Sequence, residues 1–528
     1  MKHCVLSAVA LIVSSWLPAA VTASESSEAL ELLARNRVTA RGSSNAFRIV
    51  YEEKKWEPER TAIIICDMWA RHWCKSASRR VAEMAPRVNQ FVKDARKRGG
   101  FIVHAPSGGM EHYTDHPARK RARSAPRAAN LPEGIGSWCR QIESEEGAQW
   151  PIDQDDGGCD DEPPCPQEKM DRHQIGVIDI HDADAISDSG EEIWNLFEQR
   201  GIENVMLVGV HANMCVVGRP FGLRNMVRFG KRALLVRDLT DTMYNPRQRP
   251  FVSHVRGTEL IIEHIEKHIC PTILSTDLLD SPAHRFSEDE RPYVVFLVSD
   301  DHYDADKTLP PFAEMLRERY GCRCTVLHGL GDSDIHLTAE LQVADCLVLY
   351  IRRLALPQKQ LERIRKYLQA GNPLVALRTA SHAFDVRGNH EAGEAEWPKF
   401  DPEVLGGNYH GHGPNPRGTD VAIVPEESDH VLLKSVKPAQ WHSTGSLYYT
   451  APVAEDATVL MTGSLDDRVE PLTWIRSYGQ ARIFYSGLGH PDDFQQAPFR
   501  QLLLNAVFWA VDQPVPEPSS KQPAPGGH

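Results

Sequence analysis

Short apolar runs alternate with longer amphipathic stretches over most of this chain, and that alternation predicts its architecture. The first series of runs is TAIIICD, GFIVHAP, IGVIDI, VMLVGV and RALLVRD, with helical patterns at 79–98, 191–200 and 258–268. Apolar runs without in-out alternation suit strands buried on both faces, and parallel strands need crossover helices, so the pattern predicts a parallel sheet with helices on both sides. A second series begins after SPAHRFSEDERP with YVVFLVSDD, CTVLHG, DCLVLYI and PLVALR, continues through VAIVP and ARIFYSGLGH, and has helical patterns at 309–320, 357–370 and in FRQLLLNAVFWAV. The expected fold class is α/β: two three-layer α/β/α domains with mainly parallel sheets.

The intervening and terminal segments set the expected boundaries. Lys2 precedes an apolar stretch from Val5 to Leu17 and small residues near Ala23, which reads as a signal peptide over 1–23 and predicts export to the periplasm or the cell exterior. The first domain is expected over 24–280 and the second over 290–515, followed by a Pro-rich disordered tail at 516–528. Between Trp138 and His173 the strand-helix rhythm fails. The stretch DQDDGGCDDEPPC there reads as a solvated acidic loop that covers a crevice as a lid.

The 41% hydrophobic and 25% charged content of the 528 residues suits globular domains. The net charge of -13, or -14 once Lys2 leaves with the signal segment, speaks against nucleic acid as a partner. The apolar N-terminal stretch is too short for a membrane span. Export permits disulfides among the ten cysteines beyond Cys4, with Cys159–Cys165 the simplest bridge, and the lack of any pair of CxxC units speaks against metal binding by these cysteines.

The candidate chemistry gathers at strand ends. In VMLVGVHANMCVVGRP a strand breaks and a helix begins with Cys215 in its first turn, a setting that lowers a thiol pKa and suits a nucleophile. TAIIICD delivers Asp67 at the end of its own strand, so both groups are expected beyond the carboxyl edge of one sheet. Asp67 also fits a helix N-cap or a turn. His104 ends FIVHAPS, and His181 follows IGVIDI. Either histidine would serve as a base or as a positive partner for the thiolate, and each also reads as an ordinary hydrogen-bonded group. His72 in DMWARHWC is expected to line the same pocket or to bind metal with His104, with Trp69 and Trp73 as walls or as core.

With these residues in view, the first domain resembles the isochorismatase-like cysteine hydrolases over about 62–274. The resemblance rests on Asp67 and on GVHANMCV with its Gly209-to-Cys215 spacing. It implies a non-proline cis peptide at Val210–His211, backbone donors near His211, Met214 and Cys215 aimed at an oxyanion, and a strand containing Asp238 and Tyr244 after the nucleophile helix. It also implies a catalytic lysine near Ile180, where this chain has none. The second domain, about 292–515, resembles the trehalose-utilisation (ThuA-like) family through ADCLVLYI, GNPLVALR, LGGNYHGHGP and PLTWIRSYGQARIFYSGLGH. That fold is related to class I glutamine amidotransferases, whose cysteine position corresponds to VALRTASH with Arg378, so their amidase chemistry is not expected. His382, His410, His412 and His490 with Tyr448 and Trp474 are candidates to bind a sugar or a metal, and HGHG also reads as a solvated loop.

The resulting expectation is an exported hydrolase acting through Cys215 and Asp67 on a small amide or a related C–N or C–O bond. Its partner is a small-molecule substrate, with carbohydrate the class suggested for the second domain. No cofactor is required, a divalent metal is allowed for, and assembly as a homo-oligomer is left open. The alternative, motivated by the absent lysine, is a non-catalytic binding protein. A third reading places the chemistry in the second domain, as a sugar-processing enzyme.

Overall fold

The computed structural model describes Met1 and residues 28–39, 47–300, 302–329 and 338–516. The apolar N-terminal segment and most of the Pro-rich tail lie outside the described residues. No described helix is long and apolar enough to cross a membrane.

The first sheet contains β1 (Leu30–Thr39), β2 (Phe47–Trp56), β3 (Thr61–Cys66), β4 (Phe101–Ala105), β5 (Ala185–Ile186), β6 (Asn204–Val210), β7 (Arg232–Asp241) and β8 (Thr272–Ile273), in the spatial order 2-1-8-7-6-3-4-5. All neighbours pair in parallel except β2 with β1 and β1 with β8. Successive residues of β3 point to opposite faces, and both faces are covered. Ile63 and Ile65 pack against α1 (Lys75–Lys97), whereas Ala62, Ile64 and Cys66 join the cluster formed with α3 (Gly190–Arg200), α4 (Leu223–Arg228) and α5 (His254–His268); α2 (Pro117–Ser124) is a short helix before the insertion. Two-sided burial explains the unbroken apolar runs.

The second sheet carries β9 (Tyr293–Ser299), β10 (Arg323–His328) and β11 (Cys346–Ile351), ordered 10-9-11, then Leu374–Leu377, Ala481–Ser486, Arg468–Tyr478, Thr458–Leu465, Thr419–Ile423 and Gln440–Ser443. Its first five strands are parallel and its last four antiparallel. Helices Ala305–Tyr320 and Ala497–Ala510 cover one face and Gln358–Gln369 the other, so the chain holds two three-layer α/β/α domains.

Two features depart from the expectation. IGVIDI is loop rather than strand, and the strand position falls instead at Ala185–Ile186. The β1–β2 hairpin has no counterpart in the predicted pattern, because its charges leave little apolar periodicity. That hairpin joins the domains. Arg35 on β1 donates through Nε to Glu266 of α5 at 2.7 Å and through Nη1 to Glu340 of the second domain at 2.6 Å, while Tyr51 on β2, Tyr293 on β9 and Arg237 on β7 also reach Glu340. Burial alone would raise the Glu340 carboxyl, but Arg35, Arg237 and Arg323 hold it well below the usual carboxylate range. Removing one member of a buried charge cluster leaves its partners unpaired. Arg35→Met is therefore expected to cost about 3–5 kcal/mol, read as a lower midpoint of thermal unfolding; an unchanged midpoint would show that the cluster does not hold the domains together.

Candidate active site

The site is built at the carboxyl ends of β3 and β6. These strands pair in parallel with Cys66 opposite Gly209, and at that point the chains are too close for a side chain. A Cβ on Gly209, whose φ is +102°, would lie 2.0 Å from the Cys66 carbonyl oxygen. The Gly209 carbonyl accepts from Thr240 Oγ1 at 2.7 Å, which ties the strand end to β7. The next peptide, Val210–His211, is cis, as the resemblance implies. A single π-helical turn, Ala212–Val216, then carries Cys215.

On the neighbouring strand Asp67 adopts φ +49°, its N–H donates to the Ala105 carbonyl at 3.1 Å, and its carboxyl is wholly buried. Asp67, Cys215 and Arg219 form one electrostatic group. Burial raises the Asp67 pKa to about 6, against the pull of the Arg219 guanidinium and of the Cys215 and Ser107 side chains. No hydrogen bond of good geometry reaches either carboxylate oxygen, an unusual state for a buried acid. Burial and the Asp67 charge push the Cys215 thiol upward, and Arg219 opposes them. The resting thiol is therefore protonated, which corrects the expectation that the helix start alone would lower its pKa: desolvation outweighs one turn of peptide dipoles.

Arg219 was not anticipated from the sequence. It stands four residues after Cys215, and its own N–H donates to the Cys215 carbonyl at 3.1 Å. Its guanidinium lies 4.6 Å from the centre of the Trp138 ring. Its positive charge opposes the rise of the Cys215 pKa.

The two histidines proposed for that role are elsewhere. His104 is fully buried, with Nδ1 2.8 Å from Gln174 Oε1 and Nε2 3.1 Å from Asp184, so neither ring nitrogen is left for the sulfur. His181 is exposed, and its backbone N–H donates to Asp184. Nor do His72 and His104 share a metal. His72 Nδ1 accepts from the Cys74 N–H at 3.1 Å, and its ring stacks on Trp69 and meets His211 edge-on at 5.1 Å. Burial lowers the pKa of His72 to about 4 and that of His211 to about 3, so both rings are neutral. The Met214 N–H is not free for an oxyanion, because it donates to the His211 carbonyl at 2.9 Å. Tyr244 is core: its hydroxyl donates to the Gln248 carbonyl and its ring fills the space beside Gly257.

Cys215 opens, 8% exposed, into a cleft of about 810 Å³. The expected walls Trp69 and His72 are not among its lining residues; they pack on the His211 side. The insertion supplies the walls instead. Trp138, Cys139, Glu145 and Trp150 face Asn213, Met214, Gly218, Arg224 and His264 across the opening. Arg224 grips Glu145 through two hydrogen bonds of 2.8 and 2.7 Å, and His264 Nε2 lies 2.9 Å from the same carboxylate. Burial would raise the Glu145 carboxyl, but His264 and Arg224 bring it down to about 2, so the cleft floor is a fixed ion pair.

In the second domain Arg378 occupies the elbow after Leu374–Leu377, with φ +43°. Its buried guanidinium donates to the Gly487 carbonyl at 2.8 Å and lies over the rings of Tyr303 and Tyr448. His382 stacks on Tyr409 at 4.6 Å, and His490 approaches Tyr303 at 6.0 Å, so His382, Tyr448 and His490 do converge around Arg378. His410 is exposed, on the neighbouring loop beside Tyr449. Trp474 is fully buried, with Nε1 donating to the Leu405 carbonyl, so it is core and not a sugar platform.

Residues 294–510 match the family model for trehalose utilisation (ThuA), and the second domain is ThuA-like. Solved structures similar to parts of the chain include two proteins described as ThuA-like. The one from Bacteroides uniformis is 18% identical, covers 44% of this chain and 95% of its own, and has a TM-score of 0.34; the one from Parabacteroides merdae is 18% identical, covers 44% and 94%, and has a TM-score of 0.33. An isochorismatase family protein from Burkholderia thailandensis is 11% identical, covers 42% of this chain and 94% of its own, and has a TM-score of 0.25. No curated protein matches the chain.

The raised Asp67 pKa has a stability consequence with a definite sign. The folded carboxyl holds its proton more tightly than the unfolded one. Its contribution is therefore favourable below about pH 4 and is lost as pH rises through about 6. Asp67→Asn should then raise the unfolding midpoint at pH 8 and leave it unchanged near pH 4. The rise from 3.8 to about 6 corresponds to an upper limit of about 3 kcal/mol at pH 8. Equal effects at both pH values would contradict the assignment.

Proposed function

We propose that the first domain is an exported cysteine hydrolase acting on a small amide or a related C–N or C–O bond, and that the second domain binds carbohydrate through the cluster around Arg378. The observation that carries the first part is the contact group of Asp67, Cys215 and Arg219 beside an open cleft. A carboxyl with a pKa of about 6 next to a thiol with a raised pKa can take the thiol proton only when a cation stabilises the sulfur anion, and Arg219 supplies that charge.

In the proposed sequence the Cys215 proton passes to Asp67 as Sγ attacks the substrate carbonyl carbon. The carbonyl oxygen takes up the displaced electron pair. As the C–N bond breaks, Asp67 returns the proton to the leaving nitrogen, and an acyl thioester remains on Cys215. Water, deprotonated by Asp67, then releases the acid and restores the thiol. Trp138 and Trp150 suit a planar substrate, with the Arg224–Glu145 pair as a polar anchor.

Cys215→Ala should abolish turnover. Arg219→Ala should lower kcat/KM by about a hundredfold and Arg219→Lys by less. In the unaltered enzyme kcat/KM should rise as pH passes through about 6, where Asp67 loses its proton. Turnover that survives Cys215→Ala would refute the proposal.

The deep burial of the thiol favours one other reading, a binding protein that uses the cleft without chemistry. A thiol-alkylation titration separates the two. Labelling of Cys215 at neutral pH that is lost in Arg219→Ala supports the hydrolase, and a Cys215 inert to labelling up to high pH supports the binding protein.

A further inference from the structure

Cys74 is far in sequence from Cys159 and Cys165, and none of the three plays a part in the chemistry above, yet all three sulfurs converge on one oxygen. Asp161 Oδ2 lies 3.4 Å from Cys74 Sγ, 3.7 Å from Cys159 Sγ and 3.3 Å from Cys165 Sγ. Cys74 Sγ and Cys159 Sγ are 3.1 Å apart. A sulfur and an oxygen bound to one tetrahedral zinc ion stand roughly 3.5 Å apart, given Zn–S and Zn–O lengths of about 2.3 and 2.0 Å. The observed sulfur-to-oxygen spacings bracket that value. The Cys74–Cys159 separation is well beyond the length of about 2.05 Å in a disulfide, and all ten described cysteines are free.

We propose that Cys74, Cys159 and Asp161, whose ligand atoms lie within 4.8 Å of one another, form a structural zinc site that takes Cys165, 3.3 Å from Asp161 Oδ2, as its fourth ligand when the ion binds, and that the site pins the acidic insertion to the start of α1. Three thiolates and one carboxylate suit a borderline-soft, tetrahedral ion. On binding, each thiol gives up its proton to solvent and the set carries two net negative charges with the metal. The surroundings offset that charge. Cys74 is the N-cap residue of α1, the Ser76 N–H donates to Asp161 Oδ2 at 2.9 Å, and Arg79 and Arg80 pair with Asp161 and Asp160. The site is also continuous with the candidate cleft, because Cys74 and Cys159 pack against Met243, Trp73 and Met214, and Met214 lines the cleft. Its existence does not depend on the hydrolase proposal.

The test uses the full chain, reduced, stripped with a chelator and titrated anaerobically with Co²⁺. One equivalent should bring up a thiolate-to-cobalt charge-transfer absorption, release protons, and be displaced by one equivalent of Zn²⁺. Cys74→Ser, Cys159→Ser and Cys165→Ser should each weaken metal binding at least tenfold. Asp161→Asn should keep the charge-transfer band with lower affinity, which covers the case in which a cysteine variant does not fold. Cys322→Ser, in the second domain, should leave binding unchanged. Absence of a saturable one-to-one band, or a band of undiminished affinity in Cys159→Ser, overturns the proposal. So does a Cys74–Cys159 disulfide found by mass spectrometry in a chain that, once reduced, binds no cobalt.

Discussion

The close approach of β3 and β6 is the constraint on which the candidate site depends. A parallel pair this tight leaves no room for a side chain opposite the Cys66 carbonyl, so only glycine fits at position 209. Because Cys66 and Gly209 are paired, the next residue on one strand, Asp67, and the turn that follows the other are delivered to the same point above the sheet edge. The cis peptide at Val210–His211 and the π-helical turn after it then place Cys215 and Arg219 over Asp67. Three ionisable groups separated by as many as 152 positions thus meet because two strands share a register.

Burial at that point sets the protonation states. Asp67 and Cys215 both lose solvation, which favours the neutral acid and the neutral thiol, and the cation beside them acts on both at once. A lysine would do this as a compact charge. An arginine spreads the charge over a planar fork that also stacks on Trp138, so the same side chain that biases the thiol fixes a wall of the cleft. The cation beside the thiol and the carboxyl is thus an arginine from the segment just after the nucleophile turn.

The layers of the fold were legible because two-sided burial writes itself as unbroken apolar runs, and Asp67 and Cys215 were legible because they end such runs. Tertiary placement decided the rest. IGVIDI reads as a strand by composition, but Gly176 and Asp179 interrupt it, and Asp179 pairs with Lys93 at the surface. Arg219 gave no signal, since its role follows from an irregular turn rather than a period. The walls of the cleft came from the insertion, where aperiodic sequence carries no structural forecast. The acidic stretch looked solvated, yet Asp160 and Asp161 dock on α1 because Arg80 and the helix start offer them partners. Trp474 and Tyr244 matched motif positions but serve as core, a distinction that depends on neighbours from other strands.

The charge cluster at the domain junction extends the same logic. Arg35 lies on a hairpin that precedes the first predicted strand, and it bonds at once to Glu266 of α5 and Glu340 of the second domain. A second carboxylate of α5, Glu259, binds Arg291 and Arg323 at 2.9 and 3.0 Å. Helix α5 therefore presents one face to the sheet and another to the second domain. Its His264 reaches the Glu145–Arg224 pair in the cleft. The helix that fixes the junction is thus also the helix that fixes the cleft floor. The domain junction and the pocket beside Cys215 are therefore linked through the contacts of a single helix.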